Sequence, residues 1–233
     1  MPRLIQRKPA LIFLLLLYLV PLQAMANPAI QRDIATWQAL SDDARADSVS
    51  FDVFRAFMDR NHNWPQMTAI QQRFERRLAQ SGAYPVDSII LFFAQHPPMT
   101  APGWEVYLHA LSRKGQRARG SVLFKEWWVS AIMPVGDQTR LANRYNDILT
   151  PADHRKRLDR IIYDKQYTAA RSLAQRLGGG YPQLVEARIA LRNDKRGVQA
   201  KVDAVPSHLK NSNGLIYDRV VWRRQNGNVK GAI

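Results

Sequence analysis

Four glutamates and five histidines are the residues on which acid–base or metal chemistry in this chain would have to rest. A catalytic carboxyl group needs a raised pKa, which takes apolar surroundings or a like charge. Glu75 runs straight into Arg76 and Arg77, so its sequence context predicts an ordinary solvated or ion-paired carboxylate. Glu105 and Glu186 precede Val106 and Ala187 and carry no further signal. Glu126 alone has an apolar flank, Trp127 and Trp128, and a tryptophan pair inside a helix reads first as packing. His62, His96, His109, His154 and His208 show neither H-x-x-x-H nor H-E-x-x-H spacing, so no metal site is expected. The chain has no cysteine, which rules out thiol catalysis and cysteine-ligated zinc. It also lacks a G-x-S-x-G elbow, a P-loop and a dinucleotide fingerprint. The residues predict no catalytic group, no metal and no cofactor.

Positive charge is the stronger signal. The densest cluster is RKGQRAR at 113–119, with Arg113, Lys114, Arg117 and Arg119. Next comes DHRKRLDR at 153–160, with Arg155, Lys156 and Arg157, and WRR follows at 222–224. The plain reading is of solvated helix faces and turns. The functional reading is contact with a polyanion, and arginine, which far outnumbers lysine here, presents a planar fork suited to carboxylates.

A formal charge of +15 would ordinarily point to nucleic acid, but the N-terminus argues otherwise. Arg3, Arg7 and Lys8 precede the apolar run ALIFLLLLYLV at 10–20, followed by Pro21 and the small-residue site Ala24-Met25-Ala26. That order is a secretory signal peptide over residues 1–26, and its apolar run is shorter than the roughly 20 residues a bilayer span needs. The expected mature chain, residues 27–233, is periplasmic, without a stable membrane span and away from nucleic acid. Losing three basic residues and no acidic ones leaves it strongly cationic. Polyanions in that compartment are peptidoglycan, through its stem-peptide carboxylates, and anionic lipid head groups.

The elements that would carry these residues are helices. Ala170, Leu173, Ala174 and Leu177 fall at i, i+3, i+4, i+7, and Leu158, Ile161 and Ile162 mark the helix before them, which predicts a hairpin. Thr150, Pro151 and Asp153 suit the start of its first helix. Val53, Phe54, Phe57 and Met58 precede the turn NHNWPQ, then Met67, Ile70, Phe74 and Leu78 form the next apolar line, ended by Gly82. Further helices are expected near 86–95, 103–113 and 116–133, with breaks at PVGD (134–137), GGGYP (178–182) and around Pro206. The last helix, 214–226, carries Leu215, Arg219 and Trp222 at i, i+4, i+7 beside Ile216 and Val220, a face expected to want a partner. No strand is expected. Short amphipathic helices joined by tight turns predict an all-α solenoid, an irregular superhelical array of hairpins like tetratricopeptide repeats.

Four segments in order, NHNWPQMTAIQQRFERRL, FFAQHPPMTAPGWEVYLHAL, LTPADHRKRLDRIIYDKQYTAARSLAQRL and NGLIYDRVVWRRQNGN, resemble the soluble lytic murein transglycosylases, exported enzymes that cleave peptidoglycan glycan strands. The likeness spans about 50–228 and covers the family's N-terminal superhelical region only. It implies a ring-like platform that positions glycan strands, with peptidoglycan and other cell-wall proteins as partners, and a lysozyme-like catalytic domain beyond it. Family members supply their acid as a Glu followed by Ser, with Gly-Leu-Met-Gln downstream, and neither pattern occurs here. The resemblance therefore implies a truncated, inactive scaffold, whose last helix would pack on further helices of the superhelix. The other reading of the same features is a short periplasmic helical-repeat adaptor that binds cell wall or a protein without any enzyme.

Overall fold

The computed structural model describes residues 27–82, 84–193 and 196–227. Residues 1–26, expected from the sequence to be a signal peptide, and the final residues 228–233 lie outside them. Among the described residues every regular element is helical, and two compact units are defined, one up to Arg77 and one from Leu78 on.

The first unit holds α1 (Pro28–Ser41), the short α2 (Asp43–Ala46), α3 (Phe51–Asn61) and most of α4 (Met67–Ser81). Ser50 and Asn27 start α3 and α1 by accepting hydrogen bonds from backbone N–H groups that have no helical partner. The apolar lines on α3 and α4 close on each other: Phe54 and Phe74 stack at 3.6 Å between ring centroids, and Phe57 meets Trp64 edge-on. Arg73 reaches the Leu40 carbonyl at 2.5 Å and Arg77 donates to the Ala46 and Val49 carbonyls, tying the chain before α3 to α4. Glu75, expected at a solvated face, is fully buried here and accepts from Gln71 Nε2 at 2.9 Å. The reason lies in the helix geometry. Gln71 and Glu75 sit one position after Ile70 and Phe74, so they share the buried flank of that line, whereas exposed Arg76 points away.

The second unit continues with α5 (Val86–Gln95), α6 (Ala101–Arg113), α7 (Arg117–Ser130), α8 (Val135–Arg144), α9 (Pro151–Tyr163), α10 (Tyr167–Leu177), α11 (Tyr181–Arg192), α12 (Val198–Asp203), a 3-10 turn (Ser207–Leu209) and α13 (Asn213–Gln225). Consecutive pairs pack together, α5 on α6, α6 on α7, α9 on α10 and α10 on α11. Helices two apart pack as well: α6 with α8, α7 with α9, α8 with α10, α9 with α11 and α11 with α13. That two-step pattern is what a stack of hairpins produces, since each pair buries its face against the next. The expected hairpin of 151–177 is present, and its first helix has a full capping box: Thr150 and Asp153 satisfy each other's backbone N–H groups. The break expected at PVGD falls slightly earlier, because Pro134 serves as the N-cap and Val135, Gly136 and Asp137 already open α8.

Polar side chains hold the stack at two places. Arg157, on α9, donates from Nε to Gln138 Oε1 at 2.9 Å and from Nη1 to the carbonyls of Trp128 and Ala131 at 2.5 and 2.9 Å. Gln138 passes the connection on to the Ala169 carbonyl at 2.9 Å, so one chain of hydrogen bonds links the end of α7 with α8, α9 and α10. The guanidinium lies over the Trp128 ring, 4.6 Å from its centroid.

The second place is the last helix. The side chain of Asp218 on α13 is 1% exposed and accepts from Arg188 Nε at 2.7 Å and Arg192 Nε at 2.8 Å, both on α11. Arg188 also donates to Asp159 on α9. A methyl group at Gly214 would lie 2.4 Å from the Arg188 guanidinium carbon, so glycine at the start of α13 lets that side chain pass. The inner face of α13 is therefore Leu215, Asp218 and part of Trp222 against Leu184, Ala187 and Leu191, a register different from the expected Leu215, Arg219, Trp222 line. Ile216 and Tyr217 stay exposed.

His154 titrates against this core. Its ring packs edge-on to Trp128, and burial, helped by Arg176 and Arg157 and opposed by Asp153, pushes its pKa down from 6.5 to about 4. The folded protein thus keeps the ring neutral where the unfolded chain protonates it. Stability is full above pH 6.5 and falls as pH drops from 6.5 to 4, by up to about 3 kcal/mol at 1.36 kcal/mol per pKa unit. Urea midpoints at pH 7 and pH 4.5 check this: His154→Phe should lose clearly less stability across that interval than the wild-type chain.

Candidate functional site

Glu105, His109 and Arg113 follow each other at i, i+4, i+8 along α6, so they form one line on the helix surface. They border a cleft of about 340 Å³ whose apolar side is Leu78, Val86, Ile89, Val106 and Ala110. Tyr84 and Arg144 also line it. A second hollow of about 250 Å³ adjoins it, sharing His109 and Arg144 and lined further by Ser112, Arg117, Tyr145 and Asp147.

The charges along these clefts are unequally committed. Glu105 is mostly buried, its Oε2 taken by Arg140, which also holds Asp137 at 2.6 Å. Its other oxygen, Oε1, is buried without a hydrogen-bond donor, and the Arg144 guanidinium stands 3.7 Å from it. Arg144 itself lies over the Tyr145 ring, 5.9 Å from the centroid. Burial in that corner pushes the Tyr145 hydroxyl upward from its ordinary pKa, so it stays protonated. Arg113 is exposed at the cleft rim with no carboxylate partner among the described residues.

The basic clusters read from the sequence separate in space. Arg113 and Arg117 flank the two adjoining hollows, with Arg117 ion-paired to Asp147. Lys114 is held by Asp87 at 2.8 Å, and Arg119 bonds to Gln116 Oε1 at 3.0 Å. Arg155 and Lys156 are exposed on α9 and line neither hollow. Arg157 is not at the surface: it is 1% exposed, and its Nε and Nη1 donors are spent on Gln138 and the chain's own carbonyls. Trp128, beside Glu126, is likewise fully buried and unavailable to a ligand, while Glu126 is exposed.

Glu105, His109 and Arg144 escape a search by motif. The line Glu105, His109, Arg113 has a signal in its four-residue spacing, but the approach of Arg144 to Glu105 is a long-range contact with no local signature. No described group of three or more acidic or histidine side chains is placed to hold a metal ion, and no described helix is long and apolar enough to cross a membrane. No family model, curated protein or solved structure matches the chain. Fold and site together define an all-α array of helical hairpins with an arginine-rimmed cleft.

Proposed function

We propose that the chain is a non-catalytic helical scaffold of the periplasm, the N-terminal superhelical part of a soluble lytic transglycosylase, which holds peptidoglycan through its basic side chains. The observation that carries this reading is the exposure of Arg113 on α6, Arg119 on α7 and Arg155 and Lys156 on α9, with no carboxylate partner among the described residues. Together with the four segments that resemble the transglycosylases, it favours a polyanion that lies along several hairpins rather than a small compact ligand. None of the glutamates matches the acid that the resembled family uses for cleavage. Glu75 is buried against Gln71, Glu105 is held by Arg140 and Glu186 by Arg171, Glu126 is exposed to solvent, and none of the four is followed by Ser.

Sedimentation with purified sacculi tests the reading. The charge screening length shrinks from about 10 Å at 0.1 M salt to about 3 Å at 1 M, so retention should be clear at low salt and nearly lost at 1 M. Arg155→Ala/Lys156→Ala should weaken it, and no soluble muropeptides should appear. No retention at 0.1 M, or retention unchanged by salt and by the double substitution, would overturn the proposal.

A further inference from the structure

We infer that one edge of the second unit is a docking surface for an anionic lipid bilayer, with Met99, Ile132 and Tyr163 entering the headgroup layer and Lys165 and Arg196 meeting lipid phosphates. The inference stands apart from the scaffold reading, whose cations Arg113, Arg119, Arg155 and Lys156 do not lie on this edge.

Contacts between helices define the edge. Helix α9 runs parallel to α7, since Lys125 pairs with Asp153 and, farther along both, Arg157 reaches the Ala131 carbonyl. Helix α11 runs parallel to α9 in turn, since Arg188 pairs with Asp159 and Arg192 lies over the Tyr163 ring. The first turn of α6 meets the last turn of α7 through Trp104 and Trp127, which brings the loop between α5 and α6 to the same side. The loops after α5, α7, α9 and α11 therefore lie along one edge. Residues 133–135 after α7 border one shallow hollow with residues 165–169 after α9.

Large apolar side chains are exposed along that edge: Met99 (40% exposed) after α5, Ile132 (71%) after α7 and Tyr163 (59%) at the end of α9. The loops of the opposite edge, 114–116, 145–150, 178–180 and 204–212, expose none. Packed helices stand about 8–10 Å apart, so these side chains form a spaced row rather than the contiguous apolar centre of a protein–protein interface. A bilayer interface accepts such a row, because each side chain enters the headgroup layer by itself, and tyrosine favours that layer. Charge selects the lipid. Lys165 takes the left-handed conformation that ends α9, with φ +60°, and is exposed, as is Arg196 in the loop after α11. Neither has a carboxylate partner among the described residues, whereas Asp164 and Asp137 near the same edge are held by Arg160 and Arg140 at 2.7 and 2.6 Å. Such cations beside exposed apolar side chains suit an anionic headgroup layer, and a zwitterionic one much less.

The chain has no cysteine, so single introduced cysteines report position by position. Met99→Cys, Ile132→Cys and Tyr163→Cys, with Asn146→Cys on the opposite edge, are each labelled with a polarity-sensitive dye in the chain as exported. All four positions are exposed, so the substitutions leave the fold in place. Each is titrated with phosphatidylglycerol/phosphatidylethanolamine vesicles and with phosphatidylcholine vesicles. On the anionic vesicles the dyes at 99, 132 and 163 should shift to the blue and be quenched by nitroxide lipids, while the dye at 146 should not. The label at 146 shares any contribution from the apolar run at 10–20, so a difference between the edges is local. Lys165→Gln/Arg196→Gln in the chain labelled at 132 should raise the lipid concentration for half the shift by roughly tenfold. No shift at the three edge positions, equal shifts at 132 and 146, or equal shifts on anionic and neutral vesicles would overturn the assignment. Retention on sacculi without a dye shift would sink this inference and leave the scaffold reading, and a dye shift without retention would do the reverse.

Discussion

Replacing Asp218 with alanine is expected to destabilise the protein by about 3–5 kcal/mol, the usual cost of removing one partner from a buried ion pair. Asp218 is the acceptor for two guanidinium groups, Arg188 and Arg192, and both it and Arg188 are almost wholly buried. Without it, Arg188 keeps only Asp159, whose side chain is largely exposed, and its Nε–H has no acceptor. The damage should be local first. Leu215 and Trp222 would then be the main contacts holding α13 to α11, so hydrogen exchange over residues 213–225 should open well before that over 151–177. Arg188→Met/Asp218→Leu separates charge from packing: an apolar pair of similar volume avoids the desolvation cost and should lose much less than the single alanine substitution. A change below about 1 kcal/mol in the Asp218→Ala urea midpoint, converted through an unchanged m-value, would mean that α13 is held by its apolar contacts alone.

That ion pair also shows where sequence pattern stops being informative. The succession of helical hairpins follows from apolar spacing and turn residues: Thr150 with Asp153 caps as expected, and the lines on α4 and α9 are buried as expected, while Val53 at the edge of the α3 line is exposed and Leu177 at the end of the α10 line is half-buried. Pattern failed where a polar residue occupies an inward position. On α13 the i, i+4, i+7 line through Arg219 looked coherent, yet the packed position is Asp218, because its partners Arg188 and Arg192 lie on α11, some 26–30 residues earlier. Glu75 was misplaced for the same reason. Its arginine neighbours suggest solvent, while its four-residue relation to Gln71 and its position beside Phe74 decide the outcome. The cleft was half legible. Arg113 and Arg117 stood out as charge, but the carboxylate and the second guanidinium facing them, Glu105 and Arg144, come together only through packing of α6 on α8.

Arg157 is the sharpest case, and its substitution by alanine should be about as costly as that of Asp218. In the run Arg155-Lys156-Arg157 nothing in the composition separates the third residue from the first two. Helical phase does, because Arg157 stands four residues before Ile161 and next to Leu158, both buried. Its guanidinium then serves as a cap on the carbonyl end of α7 and as the donor to Gln138. Burial lowers its pKa to about 10, so it remains charged at neutral pH, and holding it there costs about 3 kcal/mol at 1.36 kcal/mol per unit. Three hydrogen bonds from a charged donor, at about 1.5–3 kcal/mol each, outweigh that cost. Contact with the Trp128 face and the volume that alanine would leave empty add roughly 2 kcal/mol more. Arg157→Ala is therefore expected to lose about 4–5 kcal/mol, while Arg155→Ala, which trims an exposed side chain, should stay within about 0.5 kcal/mol. Lysine should not rescue the site, since a single ammonium cannot reach Gln138 and two carbonyls while lying flat on an indole ring. Equal urea midpoints for Arg155→Ala and Arg157→Ala would show that the basic run is one solvated face and that the polar link between α7, α8, α9 and α10 does not hold the stack.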